Sequence, residues 1–176
     1  MTKSKPIIIC IVGESGVGKS YVADILDEFY GIPMIESRTT RPPRTPDERG
    51  HMFVSDDEFD TYKIEDMIAQ TTFGEFRYCC LIKDVNAPIM VYVIDEYGLD
   101  YLRHNFSSRF NIFAVRIFSP ERLRKNRVTK ARMKRDKNKF TMLNDCFDYF
   151  IENTYDEKDI RQKVTKLVLR VEQKFI

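Results

Sequence analysis

Eight residues, Gly13 to Ser20 (GESGVGKS), constrain this 176-residue chain more than any other stretch. They follow PIIICIVG, Pro6 to Gly13, a continuous apolar and largely β-branched run, as expected of a strand buried on both faces of a parallel sheet. They precede Tyr21 to Phe29, where Val22, Ile25, Leu26 and Phe29 recur at helical spacing. Strand, glycine-rich turn and helix in that order fit G-x-x-x-x-G-K-[ST], a loop whose backbone N–H groups converge on a phosphate. Gly13, Gly16 and Gly18 permit the torsions that turn those groups inward. The helix N-terminus adds unpaired donors and partial positive charge. Lys19 can reach the β- and γ-phosphates, and the Ser20 hydroxyl can ligate Mg²⁺. The expected ligand is ATP with Mg²⁺, on Gly13, Ser15, Gly16, Val17, Gly18, Lys19, Ser20 and Tyr21.

The rest of the chain alternates strands with helices. IPMIE reads as a short second strand, IMVYVID (Ile89 to Asp95) and FNIFAVRIF (Phe110 to Phe118) as further buried strands, and CFDYFIEN (Cys146 to Asn153) as the last. A helix is expected from about Glu96 to His104. From Asp156 onward, Ile160, Val164, Leu167, Val168, Val171 and Phe175 trace an amphipathic helix, with Thr154 and Glu157 as a capping box. Residues 37–88 are more polar. There FVSDDEF suggests a strand followed by Ser55 as an N-cap, and FGEFRYCCLI suggests a hairpin. The expectation is one α/β domain, a three-layer sandwich around a mostly parallel sheet. Its core is residues 5–36, 89–123 and 138–176, with an inserted lobe at about 37–88 and a basic lid at about 124–137.

No apolar run approaches the ~20 residues a membrane span needs. With no secretory h-region after MTKSKP, a cytoplasmic location is expected. Cys10, Cys79, Cys80 and Cys146 show no C-x-x-C spacing, and His51 and His104 add no cluster, so the cysteines read as reduced structural thiols. Net charge is only +2, yet Glu121 to Lys139 holds ten Lys or Arg against two acids. Such a block suits phosphate, nucleic acid or a solvated helix face.

The stretch ESRTTRPPR, Glu36 to Arg44, crowds three arginines and three hydroxyls onto a connector stiffened by two prolines. Two arginines three apart can offer forked donors to a phosphate that carries close to two negative charges. Ser37-x-Thr39-Thr40-Arg41-x-x-Arg44 resembles the acceptor segment S-x-T-T-R-x-x-R of the guanylate kinase family, and Phe53 to Phe59 is similar to its F-V-S-x-x-x-F. Tyr78, Asp95 with Gly98, and Asn153 also match. The resemblance implies a P-loop kinase that passes the ATP γ-phosphate to a nucleoside or deoxynucleoside monophosphate. It implies that Ser37, Arg41, Arg44 and Tyr78 hold the acceptor, with Asp95 in a positioning role and Asn153 near the donor adenine. Arg38 matches no family position and reads as surface. The family's lid supplies arginines to the transferring phosphoryl group. Arg132 and Arg135 are the first candidates here, then Arg124 and Arg127, and Asp136 could orient one of them. The catalytic set is thus Lys19, Arg41, Arg132 and Arg135.

Three positions depart from the pattern. Gly50-His51-Met52-Phe53-Val54 lacks the family tyrosine that contacts the acceptor phosphate. The guanine-reading glutamate falls at Ala69 or Ile68, and a family aspartate is replaced by Val93. The phosphate chemistry is kept while the base reading is not, and Gln70, Thr71, Thr72 or Glu75 stand nearby to take it over. The N-K-x-D segment of GTPases does not occur. Two alternatives stay open: a kinase of nucleic-acid ends or other phosphorylated small molecules, and a non-catalytic guanylate kinase-like interaction module. Nucleic acid is the weaker partner, and the chain is expected to be a monomer or homodimer.

Overall fold

The computed structural model describes residues 4–125, 127–129, 133, 136 and 142–176. In chain order the principal elements are β1 (Ile7–Val12), α1 (Lys19–Tyr30), β2 (Ser37–Thr39), β3 (His51–Phe53) and α2 (Asp56–Asp60). Then come β4 (Met67–Phe73), β5 (Phe76–Leu81), β6 (Ile89–Val93), α3 (Glu96–Phe106) and β7 (Asn111–Phe118), followed by α4 (Glu121–Arg124), β8 (Tyr149–Glu152) and α5 (Glu157–Phe175).

Burial organises these elements. Every residue of β1 is buried, because the strand is sandwiched between neighbours and covered on both faces. It pairs in parallel with β6 and β7, so that Ile9 stands between Val91 and Phe113, and β8 joins β7 in parallel. The sheet order is β6-β1-β7-β8. Odd-numbered residues of β1 (Ile7, Ile9, Ile11) pack against α1 and α5, and even-numbered ones (Ile8, Cys10, Val12) pack against α3 and the start of β4. This is the period-two division that a doubly covered strand requires. The fold is mixed α/β with helices on both faces of a parallel sheet.

Residues 37–88 build a second sheet of order β3-β2-β5-β4. Here β2 and β3 run parallel, while β5 pairs antiparallel with both β2 and β4. The expected hairpin is present, and its first strand begins earlier, at Met67. Ser55 caps α2 as expected, accepting from Glu58 N–H.

Four expectations are corrected. IPMIE contributes only a single parallel bridge, Met34 to Val91, because the chain leaves the sheet at once to enter β2. The last strand begins at Tyr149 rather than Cys146. The cap of α5 is Asp156, which accepts from Asp159 N–H, while Thr154 reaches the Asp159 carboxylate instead of forming a box with Glu157. Arg38 is buried rather than superficial, ion-paired with Asp84 and stacked 5.2 Å from the Tyr62 ring centroid. It ties β2 to the end of the hairpin.

Cys10, Cys79 and Cys80 are buried free thiols, and burial pushes Cys10 up to about 12 and Cys79 to about 11. They are unreactive packing groups. Among the described residues no helix is long and apolar enough to cross a membrane.

Leu167 is fully buried in the core cluster shared by α1, α5 and the sheet. Truncating it, Leu167→Ala, should destabilise the fold by about 2–5 kcal/mol, read as a lower urea midpoint at unchanged m-value.

Candidate active site

The loop after β1 is shaped by close approach. A Cβ on Gly13 would lie 2.3 Å from the Ile117 carbonyl oxygen, so only glycine lets the loop leave β1 alongside β7. Gly18, with φ at 93°, turns the chain into α1, and a Cβ there would meet the Asn153 amide at 2.4 Å. Lys19 folds back so that its Nζ donates to the carbonyls of Gly13 and Glu14 at 2.7 and 2.9 Å.

Segments distant in sequence close around this loop. Asn153, almost fully buried, donates from Nδ2 to the Val17 carbonyl at 2.9 Å and accepts from Tyr155 N–H. It tethers the loop rather than capping α5. Tyr155 takes φ 64°, in the left-handed region that seldom suits an aromatic residue. Its hydroxyl donates to Gly16 O at 2.6 Å, and Arg127 stacks 4.0 Å from its ring centroid. Arg124 is buried in an ion pair with Glu14 at 2.7 Å. From the same basic segment, the buried Asp136 accepts the Ser15 N–H at 2.5 Å. The loop therefore already holds an anion, a carboxylate on one of its inward N–H groups. Arg132 and Arg135 lie outside the described residues.

The arginine connector is ordered by its hydroxyls. Thr39 Oγ1 accepts from Arg41 N–H at 3.2 Å, and Thr40 bonds the Arg77 backbone through both its N–H and its hydroxyl. Arg41 is buried, with its guanidinium 5.4 Å from the Phe53 ring centroid and its Nε donating to Tyr78 Oη at 3.2 Å. Glu48 closes the arrangement. Its two oxygens accept from Arg41 Nη2 at 2.7 Å and Nη1 at 3.1 Å, and Oε2 also accepts Arg44 N–H at 2.6 Å. The bond from Arg41 holds the Glu48 carboxyl down to about 2, against an opposing effect of burial, and the Arg44 N–H and both arginine charges add to the lowering.

A cavity of about 940 Å³ joins the two regions. Gly13, Ser15, Gly16, Gly18, Lys19, Ser20 and Tyr21 line one end, and Ser37, Arg44, His51 and Tyr78 line another. Asp95, Arg127, Asp136, Asn153 and Tyr155 also face it. Of the expected site residues, Val17 and Arg41 do not line the cavity: the Val17 side chain is buried in the core, and Arg41 is buried and held by Glu48. Asp95 caps α3 through Gly98 N–H at 2.7 Å and accepts from the Thr71 hydroxyl at 3.2 Å. A third wall is Ala69, Gln70, Phe73, Tyr92 and Val93. The strand pairing shifts register between Met67 and Ala69, which leaves Ile68 fully buried and Ala69 on the cavity. Gln70 and Thr71 reach this wall; Thr72 and Glu75 do not.

Comparison with solved structures decides what this architecture is. The structure superposes on a guanylate kinase from Anaplasma phagocytophilum with a TM-score of 0.70 at 19% identity, covering 99% of this chain and 88% of that one. The fold is that of a guanylate kinase-like P-loop kinase. An APS kinase from Mycobacterium tuberculosis, in complex with AMPPNP and APS, is similar at a TM-score of 0.54 and 12% identity, over 96% of this chain and 99% of that one. No family model matches the chain, and no curated protein matches it in sequence. At these identities the likeness is one of fold. Within the guanylate kinase-like fold, Tyr155 and His51 line the cavity and Glu48 closes on the Arg41 fork, roles that no sequence motif assigned to them. Their positions depend on contacts across more than ten residues or on a single loop's closure.

Two predictions follow from the two resident carboxylates. Replacing Asp136 by Asn should tighten Mg·ATP binding about fivefold, the effect of removing roughly 1 kcal/mol of competition for the Ser15 N–H, and calorimetry would read it. Glu48 has its pKa depressed in the folded state, so its stabilisation is full above the ordinary glutamate value of 4.5 and is lost as pH falls toward about 2. Between pH 6 and pH 3 the wild-type melting temperature should therefore fall further than that of Glu48→Gln, by differential scanning fluorimetry.

Proposed function

We propose that this chain transfers the γ-phosphate of ATP to a nucleoside or deoxynucleoside monophosphate. One observation carries the reading: a phosphate-binding loop and an arginine- and tyrosine-bearing clamp line the same cavity. Two polyanions brought together there would otherwise repel, and fixed cationic groups remove that obstacle.

In this reading Lys19 leaves its two loop carbonyls to neutralise the β- and γ-phosphates. Arg44, Ser37 and Tyr78 take the acceptor phosphate. Arg41 takes it when the Glu48 carboxylate yields its place, since a carboxylate and a phosphate oxygen use the same forked donors. Arg127, anchored by Tyr155 beside the loop, supplies lid charge, together with Arg132 and Arg135. The phosphoryl group passes directly from donor to acceptor oxygen with no covalent enzyme intermediate. Mg²⁺ fits the residues present. The Ser20 hydroxyl faces the cavity, and among the described residues no cluster of three carboxylate, His or Cys groups could hold a metal alone. When bound, Mg²⁺ neutralises charge on the transferring phosphates.

The base end of the cavity favours an acceptor other than guanine. Ala69 and Val93 stand where carboxylates would accept from guanine N1–H and N2–H₂, while the Gln70 amide, the Thr71–Asp95 pair and the Glu96 carboxylate are among the polar groups that line the cavity.

An ADP-release screen across ribo- and deoxyribonucleoside monophosphates should find at least one acceptor, and failure with all of them would overturn the reading. With that acceptor, Arg44→Ala should raise the acceptor KM roughly tenfold or more, the worth of one charge-assisted hydrogen bond, with the KM for ATP unchanged.

A further inference from the structure

His51 is not used by the phosphate chemistry described above, yet it stands at the acceptor end of the cavity. The parallel register of β2 and β3 sets it directly beside Ser37, and its Nδ1 lies 2.8 Å from Ser37 Oγ. Its ring is edge-on to Tyr78, with centroids 5.8 Å apart, and to Phe53 at 6.1 Å. Among the described residues no hydrogen bond engages Nε2. The charged groups that face it are Arg41, Arg44 and Glu48 from the connector between β2 and β3. Tyr78 faces it from β5.

We propose that His51 is a ligand of the acceptor phosphate, and that it takes up a proton from solvent as that phosphate binds. Without phosphate, burial lowers the affinity of the imidazole for a proton. Arg41 reinforces this, Glu48 opposes it, and Arg44 reinforces it again, so the site without phosphate favours the neutral ring. A phosphomonoester brings nearly two negative charges to a place where Glu48 supplies one. The added charge favours the imidazolium. Protonation also rearranges donors usefully. With both ring nitrogens protonated, Nδ1–H donates to Ser37 Oγ and releases the Ser37 hydroxyl proton toward the cavity, while Nε2–H donates to a phosphate oxygen. No bond to phosphorus forms or breaks in this step; one proton moves from solvent to the ring.

The inference rests on the acceptor-site reading, and the two can fail separately. The chain has two histidines, and His104 is an exposed residue of α3 that serves as an internal control. Histidine ring resonances are followed by NMR against pH, with and without the monophosphate turned over fastest in the screen. The His51 midpoint should rise on adding the monophosphate while that of His104 stays fixed. Correspondingly, kcat/KM for the acceptor should fall as pH rises from 6 to 8, by up to about tenfold for a one-unit rise in the midpoint. In His51→Gln, which keeps a neutral donor, that fall should disappear and leave only the rise due to the substrate's own ionisation to the dianion, with the KM for ATP unchanged. Turnover with an unmoved His51 midpoint, or with the same pH profile in His51→Gln, overturns the inference alone. Absence of turnover with every monophosphate overturns the acceptor-site reading and the inference with it.

Discussion

The cavity depends on how closely β1 is enclosed. A strand buried on both faces, with β6 on one side and β7 on the other, cannot bend until it passes the sheet edge, so the loop must begin where β1 ends. At that point Gly13 lies against the Ile117 carbonyl with no room for a side chain, and the chain turns through Gly16 and Gly18 into α1. The loop's N–H groups are thereby fixed by the packing of the sheet and not by a ligand. Asn153 and Tyr155, arriving from β8, hold its carbonyls from the other side. The backbone of the loop is therefore in place before any phosphate arrives, and only the side chains resting on it, Asp136 and Lys19, would have to move.

Both regions that would receive phosphate already hold a carboxylate of the protein itself. Asp136 sits on the Ser15 N–H and Glu48 on the Arg41 fork. Buried donors and buried guanidinium groups left without a partner would be costly, so an internal anion stabilises the resting cavity. The same logic accounts for Lys19 resting on the Gly13 and Glu14 carbonyls. A substrate phosphate carries more charge than the carboxylate it would displace, which gives the exchange its direction.

Much of this was legible in the sequence because it rests on local periodicity. The continuous apolar run of β1, the helical spacing of α1 and α5, and the Ser55 cap each depend on neighbours within a few residues. What failed depended on partners far along the chain. Arg38 reads as a surface arginine until Asp84, 46 residues away, pairs with it. Met34 sits in an apolar stretch of strand-like character but makes only one bridge, since β2 draws the chain away into the second sheet. Glu48 sits in a polar connector with nothing in its local pattern to mark it, and its role appears only when the connector folds back on Arg41.

By itself the sequence determined the presence of a phosphate-binding loop, a parallel α/β core and an arginine-rich acceptor-like segment, because each is written in residue type and short-range spacing. Only the tertiary structure decided that the loop and the segment share one cavity, and that Ala69 rather than Ile68 opens on it, through a register shift in β4. It alone set His51 beside Ser37, because parallel strands bring together residues fourteen apart in the chain. The physical reason is the same in each case. Backbone conformation and burial follow from local pattern, while the pairing of charges and donors follows from which surfaces the packed core brings face to face.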